Sequence, residues 1–256
     1  MQNAPRNFVA RTTEIQPLLY GRDFNQSHAM TAFFALIPAA GVGERAGTAV
    51  PKQYAPLLGK PMLMHTIAAF AAAPSITATH VVVSPEDKWI ETLGGSGFPA
   101  SCTIHRVGGA TRAASVFNGL KAIDADSNDW VLVHDAARPC ITPAMIEALI
   151  AELRDDPVGG LLALPVPDTV KRADGAGRVS DTIPRDGLWL AQTPQMFRYA
   201  LLRSALERTP EVTDEAGAIE RVGLKPKLVT GSAQNIKMTY PADLELAANY
   251  LASRSR

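Results

Sequence analysis

Short apolar runs and amphipathic helical segments alternate along most of the chain. Each run has the length of a buried strand and ends in a turn signal, and the segments between runs carry apolar residues at helical spacing. This alternation predicts an α/β fold in which a mostly parallel sheet has helices on both faces. The predicted strands are 33–37, 81–83, 103–107, 130–133 and 160–164, and the predicted helical faces lie within 113–123, 145–153 and 244–251.

One segment, residues 165–188, breaks the alternation. Polar and apolar positions alternate there on both sides of Asp174-Gly175, which predicts a β-hairpin arm that projects from the domain. Because a two-stranded ribbon is only marginally stable alone in water, we expect the arm to pack on a second copy of the chain and to form a homodimer. The alternative is a surface excursion with solvated side chains.

The loops that follow the predicted strands carry the candidate chemistry, since ligands bind beyond the carboxyl ends of the strands in such sheets. The loop at 38–45 contains two glycines and Arg45, and Lys52 follows it. Glycine lets backbone N–H groups approach a phosphate, and the two cations would neutralise its charge, so the loop predicts a polyphosphate site. Ala46 excludes the dinucleotide pattern G-x-G-x-x-G. An ordinary turn with two solvated cations is the alternative.

Two further loops, 108–112 and 134–139, are expected at the same edge of the sheet. Asp135 beside phosphate-binding cations is a candidate ligand for a Mg²⁺ that bridges phosphates. Its alternative role is to cap the next turn or to pair with Arg138. We expect His134 to be a strand-end imidazole that a backbone group satisfies.

Composition narrows the choice of partners and compartment. The 25 basic and 25 acidic residues give a formal net charge of zero, so nothing suggests a nucleic-acid partner, and no apolar run approaches a membrane span of about 18 residues. Two cysteines provide neither a disulfide framework nor a metal cluster, which favours a cytoplasmic protein. Residues 1–29 have no sustained period and no secretory pattern, and we expect a disordered extension ahead of one domain at 30–256.

Eight motifs occur in the order of a known family. The motifs are Pro38-Ala39-Ala40-Gly41-x-Gly43-x-Arg45, Pro51-Lys52-Gln53-Tyr54, Gly108-Gly109-x-x-Arg112-x-x-Ser115-Val116, His134-Asp135-Ala136-Ala137-Arg138-Pro139, Asp168-Thr169-Val170-Lys171, Gln192-Thr193-Pro194-Gln195, Thr213-Asp214-Glu215-Ala216 and Asn235-Ile236-Lys237. Together they resemble the 2-C-methyl-D-erythritol 4-phosphate cytidylyltransferases of non-mevalonate isoprenoid synthesis, over about residues 32–251. The resemblance implies a Rossmann-like nucleotidyltransferase that uses CTP, methylerythritol phosphate and Mg²⁺ and releases pyrophosphate.

The resemblance also implies roles for individual residues. The implied catalytic residues are Arg45, Lys52, Arg185 and Lys237. Those implied to bind CTP are Ala39, Ala40, Gly41, Gly43, Gly109, Ala110 and Ser115. Those implied to bind the substrate are Asp135, Arg138, Thr169, Thr193 and Thr213, with Asp135 also on the metal. Thr169 and Arg185 would come from the neighbouring subunit's arm. The family often has an acid at position 110, and Ala110 leaves only its backbone for that contact.

Three alternatives are weighed against this function. Ribitol-5-phosphate cytidylyltransferases share the first loop and the Thr-Pro-Gln motif, but tend to differ at residues 136–138 and 213–216. A CTP-binding regulatory protein without turnover would not need both Arg45 and Lys52. A dehydrogenase is the weakest alternative, because the third glycine of its fingerprint is missing.

Overall fold

The computed structural model describes residues 31–41, 50–93 and 97–254. The extension predicted at 1–29 lies outside these residues. The strands are β1 Phe33–Pro38, β2 Pro56–Leu57, β3 Lys60–Pro61, β4 Ala78–Val82, β5 Cys102–His105, β6 Trp130–Val133, β7 Gly159–Pro165, β8 Val170–Ala173, β9 Val179–Ile183, β10 Trp189–Arg198 and β11 Lys227–Thr230. The helices are α1 Met62–Ala71, α2 Trp89–Thr92, α3 Arg112–Ala122, α4 Pro143–Leu153, α5 Tyr199–Arg208, α6 Glu215–Arg221 and α7 Ala242–Ser253, and a short 3₁₀ turn spans Lys52–Tyr54.

Seven strands form the main sheet, in the order β11-β7-β10-β6-β1-β4-β5. β1 pairs in parallel with both β4 and β6, and β7 pairs in parallel with β11, whereas β10 is antiparallel to both of its neighbours. The predicted strands at 33–37 and 130–133 match β1 and β6 closely. The mostly parallel sheet that the apolar runs predicted is therefore confirmed, with one antiparallel strand that the sequence pattern did not indicate.

Helices cover both faces of this sheet. On one face α1 and α4 pack over alternate residues of the central strands, and on the other face α3, α5 and α6 pack over the intervening residues. Local chemistry fixes where two of these helices begin. Thr111 accepts a hydrogen bond from the Ala114 N–H at the start of α3, and Thr142 accepts one from the Met145 N–H at the start of α4, as N-cap residues do.

The strand order places one crevice at the centre of the sheet. The chain runs from β1 outward to β4 and β5, and then returns to the other side of β1 to form β6. The loops that follow β1 and β6 therefore leave the sheet in opposite directions, which opens a crevice between them at the carboxyl ends of the strands.

The projecting arm is also present. β8 and β9 form an antiparallel hairpin, and Asp174 stabilises its turn by accepting hydrogen bonds from the Ala176 and Arg178 N–H groups. Almost every side chain of the arm is exposed to solvent. The hairpin predicted within 165–188 is confirmed. None of the helices in the described part of the chain is long and apolar enough to cross a membrane.

Candidate active site

A cavity of about 350 Å³ lies in the central crevice. This volume falls within the range of small-molecule sites. Three loops that follow β1, β5 and β6 form its walls, and Lys52 and Lys237 also contribute to its lining. The lining residues are Pro38, Ala39, Ala40, Gly41, Lys52, Gln53, Gly109, Ala110, Thr111, Arg112, Ser115, Asp135, Ala136, Ala137 and Lys237.

Gln53 fixes the first loop of the cavity. Its side-chain amide donates hydrogen bonds to the Ala39 carbonyl, at 2.8 Å, and to the Gly41 carbonyl, at 3.0 Å. Both carbonyls are thereby turned toward Gln53. The side chain is buried, so these bonds are shielded from water. Gln53 therefore sets the course of the backbone where β1 opens into the cavity.

The second loop is packed tightly against the first. A Cβ atom added to Gly108 would lie 2.3 Å from the Ala40 Cβ and 2.8 Å from the Val83 carbonyl oxygen, so only glycine allows this approach. The Ser115 hydroxyl accepts a hydrogen bond from the Gly109 N–H, at 3.1 Å, and lies 2.9 Å from the Thr111 carbonyl, to which it donates. Ser115 thus holds the loop backbone in place from below.

Charged side chains are concentrated around Asp135 at the floor of the cavity. Its two carboxylate oxygens lie 2.8 Å from Arg112 Nε and 2.8 Å from Lys237 Nζ. Arg138 Nε lies 3.8 Å from the second of these oxygens. Burial alone would raise the pKa of Asp135, but Arg112 and Lys237 outweigh that effect and hold the pKa well below its usual range. Asp135 is therefore ionised at neutral pH.

Glu215 supports the cluster from behind. Arg112 makes two further hydrogen bonds, of 2.7 and 3.1 Å, to the Glu215 carboxylate, which is completely buried at the start of α6. Three cationic side chains, Arg112, Arg138 and Lys237, thus share two carboxylates. Lys52 adds a fourth cation to the cavity lining. Among the described residues around this cavity, cationic side chains outnumber carboxylates, which suits an anionic ligand.

Comparison with known proteins identifies the family of the chain that carries this site. The family model of 2-C-methyl-D-erythritol 4-phosphate cytidylyltransferase matches residues 33–253. The chain belongs to this family. The enzyme of that name from Dechloromonas aromatica is 58% identical over 227 residues, which cover 88% of this chain and 100% of the relative. That from Chromobacterium violaceum is 56% identical over 222 residues, which cover 86% and 98%. A crystal structure of 4-diphosphocytidyl-2C-methyl-D-erythritol synthase superposes with a TM-score of 0.78, at 39% identity, over 87% of this chain and 99% of that one.

The cytidylyltransferase cavity contains most of the residues predicted to bind nucleotide. Ala39, Ala40, Gly41, Lys52, Gly109, Ala110, Ser115, Asp135 and Lys237 all line it. Arg45 and Gly43 lie outside the described residues, and their predicted roles stay predictions. Arg138 and Thr193 are buried beneath the floor, where their side chains bond to backbone and to neighbouring side chains. Thr213, Thr169 and Arg185 are exposed and lie apart from the residues that line the cavity.

A magnesium ion held directly by Asp135 does not fit this arrangement. Each of its carboxylate oxygens is already paired with a cationic side chain, and Glu215 faces Arg112. Mg²⁺ prefers several oxygen ligands and is repelled by adjacent cations. Within the described residues, no group of three or more histidine, cysteine or acidic side chains is placed to hold a metal. Of the two alternatives considered for Asp135, pairing with Arg138 occurs at 3.8 Å, but Arg112 and Lys237 are the nearer partners, at 2.8 Å.

Three important residues were not predicted as site residues. Arg112 and Gln53 stand inside two of the family motifs, but their spacing alone did not reveal which partners they reach. Glu215 follows Asp214, and its role depends on a contact with Arg112 across 103 residues of sequence. A polar residue at the start of a helix indicates a cap, and that signal carries no information about such a distant partner.

Proposed function

We propose that this chain transfers the cytidylyl group of CTP to 2-C-methyl-D-erythritol 4-phosphate, giving the cytidine diphosphate derivative and pyrophosphate for isoprenoid precursor synthesis. The observation that carries the proposal is the cation cluster around Asp135, facing a cavity whose other walls are backbone loops. Family membership supports this choice of nucleotide and acceptor.

The reaction is a substitution at phosphorus. A phosphate oxygen of the acceptor attacks the α-phosphorus of CTP, and the bond from that phosphorus to the bridging oxygen of pyrophosphate breaks. The attacking phosphate is already ionised at neutral pH, so no general base is required. Catalysis therefore rests on positioning and on neutralising the charge of the transition state. Lys52 and Lys237, which both line the cavity, are suited to the second task.

Each wall of the cavity has a distinct part in the proposal. The backbone of residues 39–41 and 109–111 would contact the cytidine, because small side chains there allow a flat base to approach closely. Lys52, together with Arg45, would stabilise the charge that develops at the α-phosphorus. Asp135 would accept hydrogen bonds from the acceptor's hydroxyls, since a carboxylate retains free lone pairs after pairing with Arg112 and Lys237.

Magnesium enters this proposal with the nucleotide. Mg²⁺ bound to phosphate oxygens lowers the charge of a triphosphate, and phosphates supply most of its ligands in many nucleotide sites. This role asks for no carboxylate from Asp135, whose two oxygens each face a cationic side chain.

The arm is proposed to complete the site of a second copy of the chain. Three large apolar side chains at its base are exposed to solvent: Leu188, Trp189 and Leu190. A second subunit packed against them would bury this apolar surface. Thr169 and Arg185 lie on this arm, away from the cavity of their own chain. A homodimer would bring them to the partner's acceptor site. A monomer at micromolar concentration in light scattering would contradict this part of the proposal.

The experiment that tests the function is pyrophosphate release with CTP and Mg²⁺. It compares methylerythritol phosphate, ribitol 5-phosphate and no acceptor. We expect turnover with methylerythritol phosphate alone. Lys52→Ala should reduce it by at least two orders of magnitude, in line with the loss of an electrostatic contact of about 3 kcal/mol. Lys225→Ala, an exposed lysine ahead of β11, is the matched control and should leave turnover unchanged. Turnover with ribitol phosphate would assign the chain to a different pathway, and CTP binding without turnover would indicate a regulatory protein.

A further inference from the structure

Four buried polar residues beneath the cavity are joined in a closed ring of hydrogen bonds. Thr193 Oγ1 lies 3.0 Å from His134 Nδ1, and His134 Nε2 lies 3.1 Å from the Arg138 carbonyl oxygen. Arg138 NH1 then donates to the Asn235 carbonyl at 2.6 Å, and Asn235 Nδ2 donates to the Thr193 carbonyl at 2.8 Å. All four residues are at most 8% exposed.

The direction of each hydrogen bond follows from which groups can donate. A carbonyl oxygen only accepts, so His134 Nε2 must carry the proton that it donates to Arg138. In a neutral imidazole the other nitrogen is then an acceptor, and the Thr193 hydroxyl must donate to Nδ1. The same hydroxyl accepts a hydrogen bond from the Asp135 N–H at 3.1 Å. Its only proton is therefore used inside the protein.

The surroundings of His134 keep its imidazole neutral. The side chain is fully buried, and the Phe70 ring of α1 packs edge-on against it, 5.2 Å away between centroids. Burial lowers the pKa of His134 to about 4; its hydrogen bond to the Arg138 carbonyl and the charge of Asp135 oppose the shift, while the charges of Arg138 and Arg112 add to it. At neutral pH the tautomer with Nε2–H is thus the form that the hydrogen bonds require.

The closed ring of hydrogen bonds joins three segments that carry the predicted chemistry. His134 and Arg138 enclose the loop that bears Asp135, Thr193 lies in β10, and Asn235 stands two residues before Lys237. A phosphate monoester carries a charge of about −1.5 to −2 at pH 7, so its oxygens act mainly as acceptors, and an acceptor makes no hydrogen bond to the lone pair that remains on the Thr193 oxygen. These observations separate Thr193 from the residues expected to bind the acceptor's phosphate.

We propose that His134 is a positioning residue, and that the Thr193 hydroxyl serves it and the Asp135 backbone instead of the substrate's phosphate. The neutral imidazole ties the loop that presents Asp135 to Thr193 in β10, and Asn235, which also bonds to Thr193 and accepts from Arg138, ties both to the segment that presents Lys237. The kinetic part of this inference rests on the proposed function, whereas the proton assignment does not.

The proton assignment is tested on the unmodified protein. Nitrogen-15 NMR of histidine-labelled chain distinguishes the two neutral tautomers and the imidazolium, and the signal missing from His134→Asn identifies the residue. We expect His134 to be the Nε2–H tautomer at pH 7 in the absence of substrate. A protonated ring or the Nδ1–H tautomer would overturn the inference, whatever the enzyme's activity.

Paired variants test the positioning role. Thr193→Val keeps the side chain's shape and removes the hydroxyl, whereas Thr193→Ser keeps the hydroxyl. We expect the valine variant to shift the His134 Nδ1 signal in the free protein and to reduce kcat roughly tenfold to a hundredfold, by misplacing groups that contact substrate. The serine variant should restore both. A valine variant that raises only KM for the acceptor, with an unmoved His134 signal, would make Thr193 a substrate ligand and refute the proposal. Absence of turnover in every variant and the unmodified enzyme, with the expected tautomer, would refute the function alone.

Discussion

Glu215 offers the sharpest test of how the active-site charges are held in place. Its carboxylate is completely buried and receives two hydrogen bonds from Arg112, whose Nε also holds Asp135. Replacement by glutamine keeps the size of the side chain and one acceptor oxygen. The new NH₂ group, however, would face a guanidinium N–H, so one hydrogen bond would be replaced by a contact between two donors.

The magnitude follows from the burial of the pair. Removing one partner of a buried ion pair costs about 3–5 kcal/mol, because the remaining charge loses its compensation. Arg112 keeps Asp135 as a second partner, so we expect a loss near 3 kcal/mol for Glu215→Gln. Burial also raises the pKa of Glu215, against the opposing effect of Arg112, and this desolvation cost disappears with the charge. The lower end of the range is therefore appropriate. For a chain of this size it corresponds to a fall of about 6–12 °C in Tm.

Urea unfolding measures the change in stability, and pyrophosphate release measures the change in turnover. Glu220→Gln, on the same helix α6 but exposed, is the matched control and should change neither. We expect Glu215→Gln to lose stability and also turnover, since Arg112 would no longer be fixed against Asp135. If Glu215→Gln unfolds at the same urea concentration as Glu220→Gln, the cost of burying the carboxylate cancels the pair's attraction, and our reasoning about the cluster is wrong.

Two further predictions concern packing and pH. Gly108→Ala would place a methyl group 2.8 Å from the Val83 carbonyl oxygen, so overpacking should cost about 1–3 kcal/mol of unfolding free energy and weaken CTP binding in calorimetry. The control Gly175→Ala, which has nothing within 4 Å, should do neither. Equal CTP affinities of the two variants would contradict the tight loop contact. The pKa of His134 is about 4 in the folded protein and about 6.5 in the unfolded chain, so the stability present above pH 6.5 should be lost as pH falls toward 4. We expect urea unfolding to show a loss of up to about 3 kcal/mol over this range, and His134→Asn to flatten the dependence. Parallel pH profiles for the two proteins would exclude His134 as the cause.

The sheet was predictable because each apolar run reports directly on burial. β6 is buried at all four of its residues, so the continuous run at 130–133 has one simple explanation. The antiparallel direction of β10 was not predictable. Its pairing with β7 is interrupted between Ala191 and Gln195, and strand direction depends on the path of the chain rather than on the hydrophobicity of the strand.

The site was predictable only where residues follow a strand end. Asp135 and Gly109 lie in the loops that follow β6 and β5, so the rule that ligands bind at the carboxyl ends of a parallel sheet locates them. Arg112 and Gln53 lie on later elements and reach back to the cavity, and what they contact depends on the distances between elements. Local sequence does not encode such distances. The charge type of Asp135 suggested a metal ligand, but the number of cations around it is a property of the assembled fold.

The arrangement around Asp135 also answers a physical problem of any site for polyphosphates. Cations gathered for an anionic ligand repel one another before the ligand arrives, and at about 4 Å that repulsion reaches several kcal/mol in a partly buried site. A single carboxylate between Arg112 and Lys237, itself held below its usual pKa, offsets the repulsion without filling the cavity. Because the Lys237 side chain is 48% exposed and that of Arg112 only 27%, the lysine is the partner that an incoming phosphate attracts more readily. Asp135 then keeps Arg112 in place, so the charge at the floor need not be rebuilt when substrate binds.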